Sequence, residues 1–478
     1  MWIIATILGY FAVLYGISRL TGRHANNETF FRANRKSPWY MVAFGMVGAS
    51  ISGVTFVSVP GMVTSIDMTY MQTCLGFILG YVLVAFLLLP LYYRLNLTTI
   101  YSYLGQRLGR RSYKTGALFF LLSKLTGAVV RFYVVCMILQ RFVFEAMGVP
   151  FAVTVTGMVA LIWLYTRSGG IKTLVWTDTF QTVCLFGALL LIIYKVVEQL
   201  GVSLPEAVNA IAADAHSRMF VMDDWVSKQN FWKQFLSGVF IVIVMTGLDQ
   251  DMMQKNLTCK SLRDAQKDMC TYGVAFVPAN LLFLSLGVLL VMVAQAQGQP
   301  VAMGDALLPD FVEQSGLSVV LPFTIGLVAA SFSSADSAMT SLTTSYCVDI
   351  RERAGDELLR KRVHLAISVL FVVMILLFRM LNSTSVIDAI YVLCGYTYGP
   401  LLGLFAFGML TKRMPRDRFV PYICIASPLV CYTIDYLTGL LTGYKLGYEL
   451  LMLNGLLTFL ALTVCSQGTP SAEPRNAF

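Results

Sequence analysis

Residues 329–350 read AASFSSADSAMTSLTTSYCVDI and place a row of side-chain oxygens inside a chain that is otherwise rich in apolar residues. On a helix, six of these side chains recur at i, i+3, i+4, i+7, i+8 and i+11, namely Ser333, Asp336, Ser337, Thr340, Ser341 and Thr344. They form one stripe about 16 Å long at ~1.5 Å rise per residue. Ionisable groups in membrane helices usually face a bundle interior or a wet cavity. Oxygen ligands alone favour a hard cation over zinc or copper.

The composition places the stripe in a membrane protein. The chain has 478 residues, of which 57% are hydrophobic and 13% charged, whereas soluble domains carry about 25% charged residues. Apolar runs of suitable length predict an all-α membrane protein with about thirteen transmembrane helices, at 2–20, 40–62, 69–93, 114–142, 150–166, 175–198, 231–252, 270–294, 317–347, 361–380, 386–411, 418–437 and 446–466.

Positive charge predicts the orientation of these helices. Of the 35 Lys and Arg residues, 26 lie in alternate loops and the tail, including Lys255 after the seventh predicted helix, and six lie in the opposite loops. Cytoplasmic loops are enriched in Lys and Arg, so we expect the N-terminus outside and the C-terminus in the cytoplasm. Thirteen spans predict a plasma membrane protein, and the short loops and tail favour a bacterial inner membrane. The net charge of +9 is explained by this distribution and predicts no nucleic-acid partner.

Two predicted helices are interrupted. The second contains FGMVGASISGVTFVSVPGM at 44–62, and the seventh breaks at Thr246-Gly247 just before Asp249 and Asp251. Interrupted segments at matching positions of two halves are typical of inverted-repeat transporters and point to their central site. The predicted organisation is an extra N-terminal helix, two inverted five-helix repeats, two extra C-terminal helices and a cytoplasmic tail, at 1–20, 38–198, 228–412, 416–466 and 467–478.

Five motifs in order resemble the sodium:solute symporter family, which carries sugars, proline, iodide and sialic acid. They are SISGVTFVSVPG at 50–61, GGIKTLVWTDTFQ at 169–181, GLDQDMMQKNL at 247–257, SFSSADSAMTSLTTSYCVDI at 331–350 and YGPLLGLFAFGM at 398–409. The resemblance implies a leucine-transporter-like fold, with Na⁺ as the coupling ion.

The resemblance also implies where sodium binds. A first site would use the backbone carbonyls of Gly48, Ile51 and Ala330 and the hydroxyls of Ser333 and Ser334. A second site, present in some members, would use Asp178, Ser333, Asp336 and Ser337.

Asp336 stands where the family often has serine. Two carboxylates near one cation would bind it more tightly, or would instead share one proton. Alternatively, Asp178 has a structural role as a cap near the start of the sixth predicted helix.

Substrate contacts are expected from Thr55, Gln72, Asp249 and Tyr391, which the resemblance places around the central cavity, and from Arg131. Arg131 lies well inside the fourth predicted helix. Arginine is a frequent partner of carboxylates. It therefore either binds a carboxylated substrate or pairs with an internal aspartate.

The predicted function is a sodium-coupled symporter that imports a small organic solute, such as an organic anion, a sialic acid-like compound or a sugar, by alternating access. The alternative is a proton-coupled symporter of the same fold that uses Asp336 and Asp178. An enzyme is not expected, because the sequence contains no HExxH, GxSxG or Cys/His metal motif. The predicted partners are the solute and the lipid bilayer, with no obligate protein partner.

Overall fold

The computed structural model describes residues 2–23, 25–225, 227–381, 386–443, 446–447 and 449–467. The described chain is almost entirely helical. Its α-helices are α1 (Trp2–Thr21), α2 (Asn27–Arg32), α3 (Trp39–Ser50), α4 (Gly53–Ile66), α5 (Tyr70–Leu83), α6 (Leu89–Arg94), α7 (Ser102–Arg107), α8 (Arg110–Leu139), α9 (Phe151–Thr166), α10 (Ile171–Leu200), α11 (Leu204–Ala213), α12 (Phe231–Val242), α13 (Gln250–Asn256), α14 (Leu262–Ala296), α15 (Leu307–Gln314), α16 (Leu317–Ser345), α17 (Glu357–Leu381), α18 (Val386–Leu410), α19 (Val420–Thr442) and α20 (Glu449–Val464).

Short irregular segments extend several of these helices. Single π-helical turns follow α5, α8, α12 and α16, at Val84–Leu88, Gln140–Phe144, Ile243–Gly247 and Tyr346–Ile350. Two-residue strands β1 (Met414–Pro415) and β2 (Ser466–Gln467) pair antiparallel. The predicted tail at 467–478 lies outside the described residues, apart from the backbone of residue 467.

A helix or a bent helix pair occupies each of the thirteen predicted spans. Among the described residues, eight helices are long and apolar enough to cross a membrane, and ten if each bent pair counts as one span. Helices α9 and α20 are apolar but shorter, and several side chains of α18 lie outside the described part of the chain. The count of thirteen and the repeat boundaries stay predictions.

Both predicted interruptions are present. Helices α3 and α4 meet at 63°, and the α12 segment meets α13 at 71°. At the first break Ile51 leaves helical geometry, and extended Ser52 caps α4 by accepting a hydrogen bond from the Thr55 N–H at 3.3 Å. Serine at an N-cap satisfies a donor that the helix end leaves free. The sequence SISG therefore both ends one helix and begins the next.

Helix α16 lies in the centre of the bundle. It packs extensively against α10 and also contacts α3, α4 and α8. The residues of the predicted oxygen stripe on this helix are all buried. The stripe therefore faces protein, as predicted, and not acyl chains.

Candidate functional site

A cavity of about 180 Å³ opens between the two broken helices. Helices α5, α8, α14, α16 and α18 also contribute to its wall. The polar side chains that matter for its chemistry include Thr55, Lys124, Arg131, Asp249, Asp251 and Ser334. Cavities that hold ligands are largely apolar with a few placed polar groups, and this lining fits that description.

Ser334 connects the first break to α16. Its hydroxyl lies 3.2 Å from the carbonyl oxygen of Ala49 and 3.2 Å from that of Ala330. Ala49 belongs to the last turn of α3, between Gly48 and Ile51. One side chain thus joins carbonyls from the two helices that the sequence predicted to share a cation.

Ser333 faces the other way, toward α10. Its hydroxyl donates to Asp178 Oδ1 at 2.7 Å, and Lys255 Nζ lies 2.7 Å from Asp178 Oδ2. Both side chains of this ion pair are almost fully buried, with 1% and 2% of their surface exposed. Lys255 was predicted in a loop on the cytoplasmic side, and the loop part of that prediction is wrong. It lies on α13 inside the protein because Asp178 compensates its charge.

Asp336 lies beside this pair with an unmatched oxygen. Its Oδ2 accepts a hydrogen bond from the Tyr165 hydroxyl at 2.6 Å. Its Oδ1, the Ser337 hydroxyl and the Thr340 hydroxyl are buried without a hydrogen-bond partner among the described residues. Buried polar atoms normally have partners. Three such atoms on one face of α16 leave oxygens available to a bound cation or proton.

At the second break, tyrosine hydroxyls hydrogen-bond the backbone carbonyls that the break leaves free. The Tyr92 hydroxyl donates to the carbonyl oxygen of Gly247, and the Tyr101 hydroxyl donates to that of Leu248, both at 2.9 Å. Carbonyls freed by a broken helix need such partners at membrane depth. Because protein hydroxyls already satisfy these two carbonyls, the first break is the better place for an ion.

An ion-pair cluster lies next to the second break. Lys124 Nζ lies 2.6 Å from Asp251 Oδ2 and 3.2 Å from Asp249 Oδ2. Asp249 Oδ2 also accepts from the Tyr398 hydroxyl at 2.6 Å, and Asp249 Oδ1 caps α13 by accepting from the Asp251 N–H at 2.8 Å. Asp249 therefore lines the cavity but is already engaged by the protein.

The other predicted substrate residues differ in whether they line the cavity. Thr55 and Arg131 line the cavity. Gln72 does not lie among the described lining residues. Its amide donates to the Gln229 carbonyl at 2.9 Å, and its oxygen accepts from the Val221 N–H at 3.0 Å. It ties a long loop to α5, which corrects its predicted substrate role. The side chain of Tyr391 lies outside the described residues.

Sequence reasoning missed the partners of the acidic groups. Lys255, Tyr165 and Tyr398 each contact a carboxylate that was singled out. Lys255 and Tyr398 stand inside two of the quoted motifs. The available signal was that a carboxylate buried in a membrane protein requires a partner, but spacing alone does not say which one.

The comparisons with known proteins agree with this architecture. The sodium:solute symporter family matches residues 30–417, so the chain belongs to that family of transporters. It is 26% identical to the human sodium/iodide cotransporter, over 94% of this chain and 68% of that protein. It is 24% identical to the sodium/sialic acid symporter SiaT of Proteus mirabilis (strain HI4320), over 88% of this chain and 87% of that protein.

Solved structures show the same fold. The substrate-bound outward-open structure of a Na⁺-coupled sialic acid symporter superimposes with a TM-score of 0.81 at 19% identity, covering 98% of this chain and 99% of that one. A nucleobase-cation-symport-1 family transporter superimposes with a TM-score of 0.62 at 15% identity, covering 92% and 94%. These superpositions confirm the predicted leucine-transporter-like all-α fold, and the family match confirms the predicted family, sodium as coupling ion and a transport role in place of an enzymatic one.

Proposed function

We propose that this sodium-coupled symporter imports a small organic solute that bears a carboxylate. The observation that carries the sodium part is the Ser334 hydroxyl, placed between carbonyls of the interrupted α3 and of α16. Sodium at this point would be ligated by the carbonyls of Gly48, Ile51 and Ala330 and the hydroxyls of Ser333 and Ser334. A nearly neutral oxygen shell suits an ion that must leave in each cycle.

Ser333 is compatible with this role although it bonds to Asp178. A hydroxyl has one donor and two acceptor lone pairs. Ser333 therefore donates to Asp178 Oδ1 while its lone pairs stay available to a cation. Because the ion would hold α3 to α16, sodium favours the conformation in which these helices meet, which is the requirement for coupling.

Uptake into proteoliposomes tests the sodium site. We expect uptake with sodium and none when choline replaces it, and Ser334→Ala should raise the sodium requirement by about tenfold, since one ligand to a cation is lost. Ser341→Ala is the matched control, because that buried hydroxyl donates to the Ala338 carbonyl of its own helix and has no other hydrogen-bond partner among the described residues. Equal uptake in choline would refute the proposal.

The second proposed site comprises Asp178, Ser333, Asp336 and Ser337. Lys255 already lies against Asp178, so the oxygens left for a second cation are Asp336 Oδ1 and Ser337 Oγ, joined by Thr340 Oγ1. The same unpartnered Asp336 oxygen supports the alternative of proton coupling. Uptake driven by a sodium gradient alone and by a proton gradient alone separates these two functions.

Arg131 is the proposed anchor for the substrate carboxylate. It lines the cavity, and Lys124 is the cation that Asp249 and Asp251 pair with, which leaves the guanidinium for the solute. Arg131→Gln should abolish concentrative uptake of carboxylated solutes, and Arg131→Lys should restore it only in part, because lysine lacks the planar bidentate fork. Unchanged affinity in Arg131→Gln would remove this residue from the site.

A further inference from the structure

The cavity carries four charges of fixed position. Among its described lining residues, the charged ones are Lys124, Arg131, Asp249 and Asp251. Lys124 lies within ion-pair distance of both aspartates, so these three groups together carry one net negative charge. No ion pair joins Arg131 to a carboxylate in the part of the chain that the structure describes. The cavity is therefore dipolar, with an excess negative charge on one part of its wall and a positive charge on another.

Of the two aspartates on the negative part, Asp251 is the less engaged by the described residues. Both oxygens of Asp249 are engaged, by the Asp251 N–H and by Tyr398 together with Lys124. Asp251 uses its Oδ2 for Lys124 and lines the cavity. Lys255, the next cation on α13, lies against Asp178 at 2.7 Å and does not form an ion pair with Asp251.

Different classes of solute leave different charges unmatched. A simple anion would pair with Arg131 but leave the excess negative charge without a partner. A neutral sugar would leave both the positive and the negative charge without a partner. A buried charge without a partner is costly. A solute with a carboxylate and a positive nitrogen would match both ends. The rings of Phe77, Tyr81, Phe132 and Phe276 also line the cavity, and aromatic faces attract organic cations.

We propose that the transported solute is a zwitterion, an amino acid or betaine-like compound, whose carboxylate binds Arg131 and whose positive nitrogen binds Asp251. Lys124 and Arg131 stand seven residues apart on α8, which separates their backbones by about 10 Å at ~1.5 Å rise per residue. This inference rests on the proposed function, since it specifies the solute of the same site.

Sodium-dependent thermal stabilisation of the purified full chain tests it. The probes are skeleton-matched trios, such as alanine, lactate and 2-aminopropan-1-ol, extended to bulkier side chains and betaines, together with N-acetylneuraminic acid and glucose. We expect at least one zwitterion to bind about tenfold or more tightly than its hydroxy acid and amino alcohol, because each lacks one charged contact. A panel in which no zwitterion stabilises the protein, or in which an anion or sugar does so at least as well, overturns the inference.

Single substitutions test which residue binds each charged end of the solute. Asp251→Asn should weaken binding of the zwitterion about tenfold but spare its hydroxy acid, whereas Arg131→Gln should weaken both. Asp223→Asn, which neutralises an exposed carboxylate, is the matched control. If Asp251→Asn loses its fold, Asp251→Glu keeps the charge and should retain binding. An Asp251→Asn variant that folds and binds the zwitterion normally overturns the inference. Stabilisation that is equal in sodium and choline would instead overturn sodium coupling and leave this assignment standing.

Discussion

The buried ion pair of Asp178 and Lys255 balances two opposite charges in the middle of the bundle. Each side chain is almost fully buried, and the charged atoms lie 2.7 Å apart. Removing one partner of such a pair leaves a charge without compensation, which costs far more than the pair itself contributes. The Ser333 hydroxyl, which donates to Asp178 Oδ1, ties this pair to the second proposed cation site.

Lys255→Met should therefore destabilise the protein by about 3–5 kcal/mol, measured by unfolding of the purified chain. The double variant Asp178→Asn/Lys255→Met should recover most of this loss, since neither charge remains. The matched control is Lys361→Met, which removes a lysine that pairs with Glu357 at 2.9 Å on the exposed surface and should leave stability unchanged. A single variant as stable as this control would show that the buried pair does not hold the fold.

At the scale of elements, the first break depends on close contact between α3 and α10. A Cβ added at Gly48 would lie 1.9 Å from Thr182 Oγ1 and 2.8 Å from Thr182 Cβ. Only glycine allows α3 to lie this close to α10. That approach also brings the last turn of α3 against α16, where Ser334 reaches Ala49.

Gly48→Ala should move α3 away from α10, destabilise the protein by about 1–3 kcal/mol through overpacking and weaken sodium binding. Gly187→Ala on α10 is the control, because nothing lies within 4 Å of a Cβ there. Thr182→Ala should partly rescue Gly48→Ala, since it removes the atom in closest contact. Sodium-dependent uptake and the Tm of the four proteins measure both effects. Normal sodium dependence in Gly48→Ala would separate the sodium site from this contact.

At the scale of the whole molecule, the orientation of the chain in the membrane is predicted from the positively charged loops and not from the helices themselves. Thirteen spans with the N-terminus outside place the segment 199–230 outside and the segment after α16 in the cytoplasm. In a background without the ten native cysteines, Ala213→Cys should react with a membrane-impermeant maleimide in intact cells. Arg353→Cys should react only after permeabilisation. The reverse pattern would contradict the predicted topology, and the parent without cysteines is the control.

Much of the architecture was predictable because it depends on local chemistry. Apolar runs, the SISG break and the Thr246-Gly247 break each follow from nearest neighbours in sequence, and all appear in the structure. Gln72 illustrates the opposite case. The resemblance to the family placed it among the substrate contacts, whereas it hydrogen-bonds loop residues more than 140 positions away.

The sequence by itself determined the helical membrane fold, the two interruptions and the buried oxygen stripe, since helix periodicity and hydrophobicity are written over a few consecutive residues. Only the tertiary structure decided which charges meet. It placed Lys255 on Asp178, gave Lys124 to two aspartates and left Arg131 facing the cavity. Such pairings join helices that lie far apart in the chain, and the energy that selects them depends on distance and burial in the packed bundle.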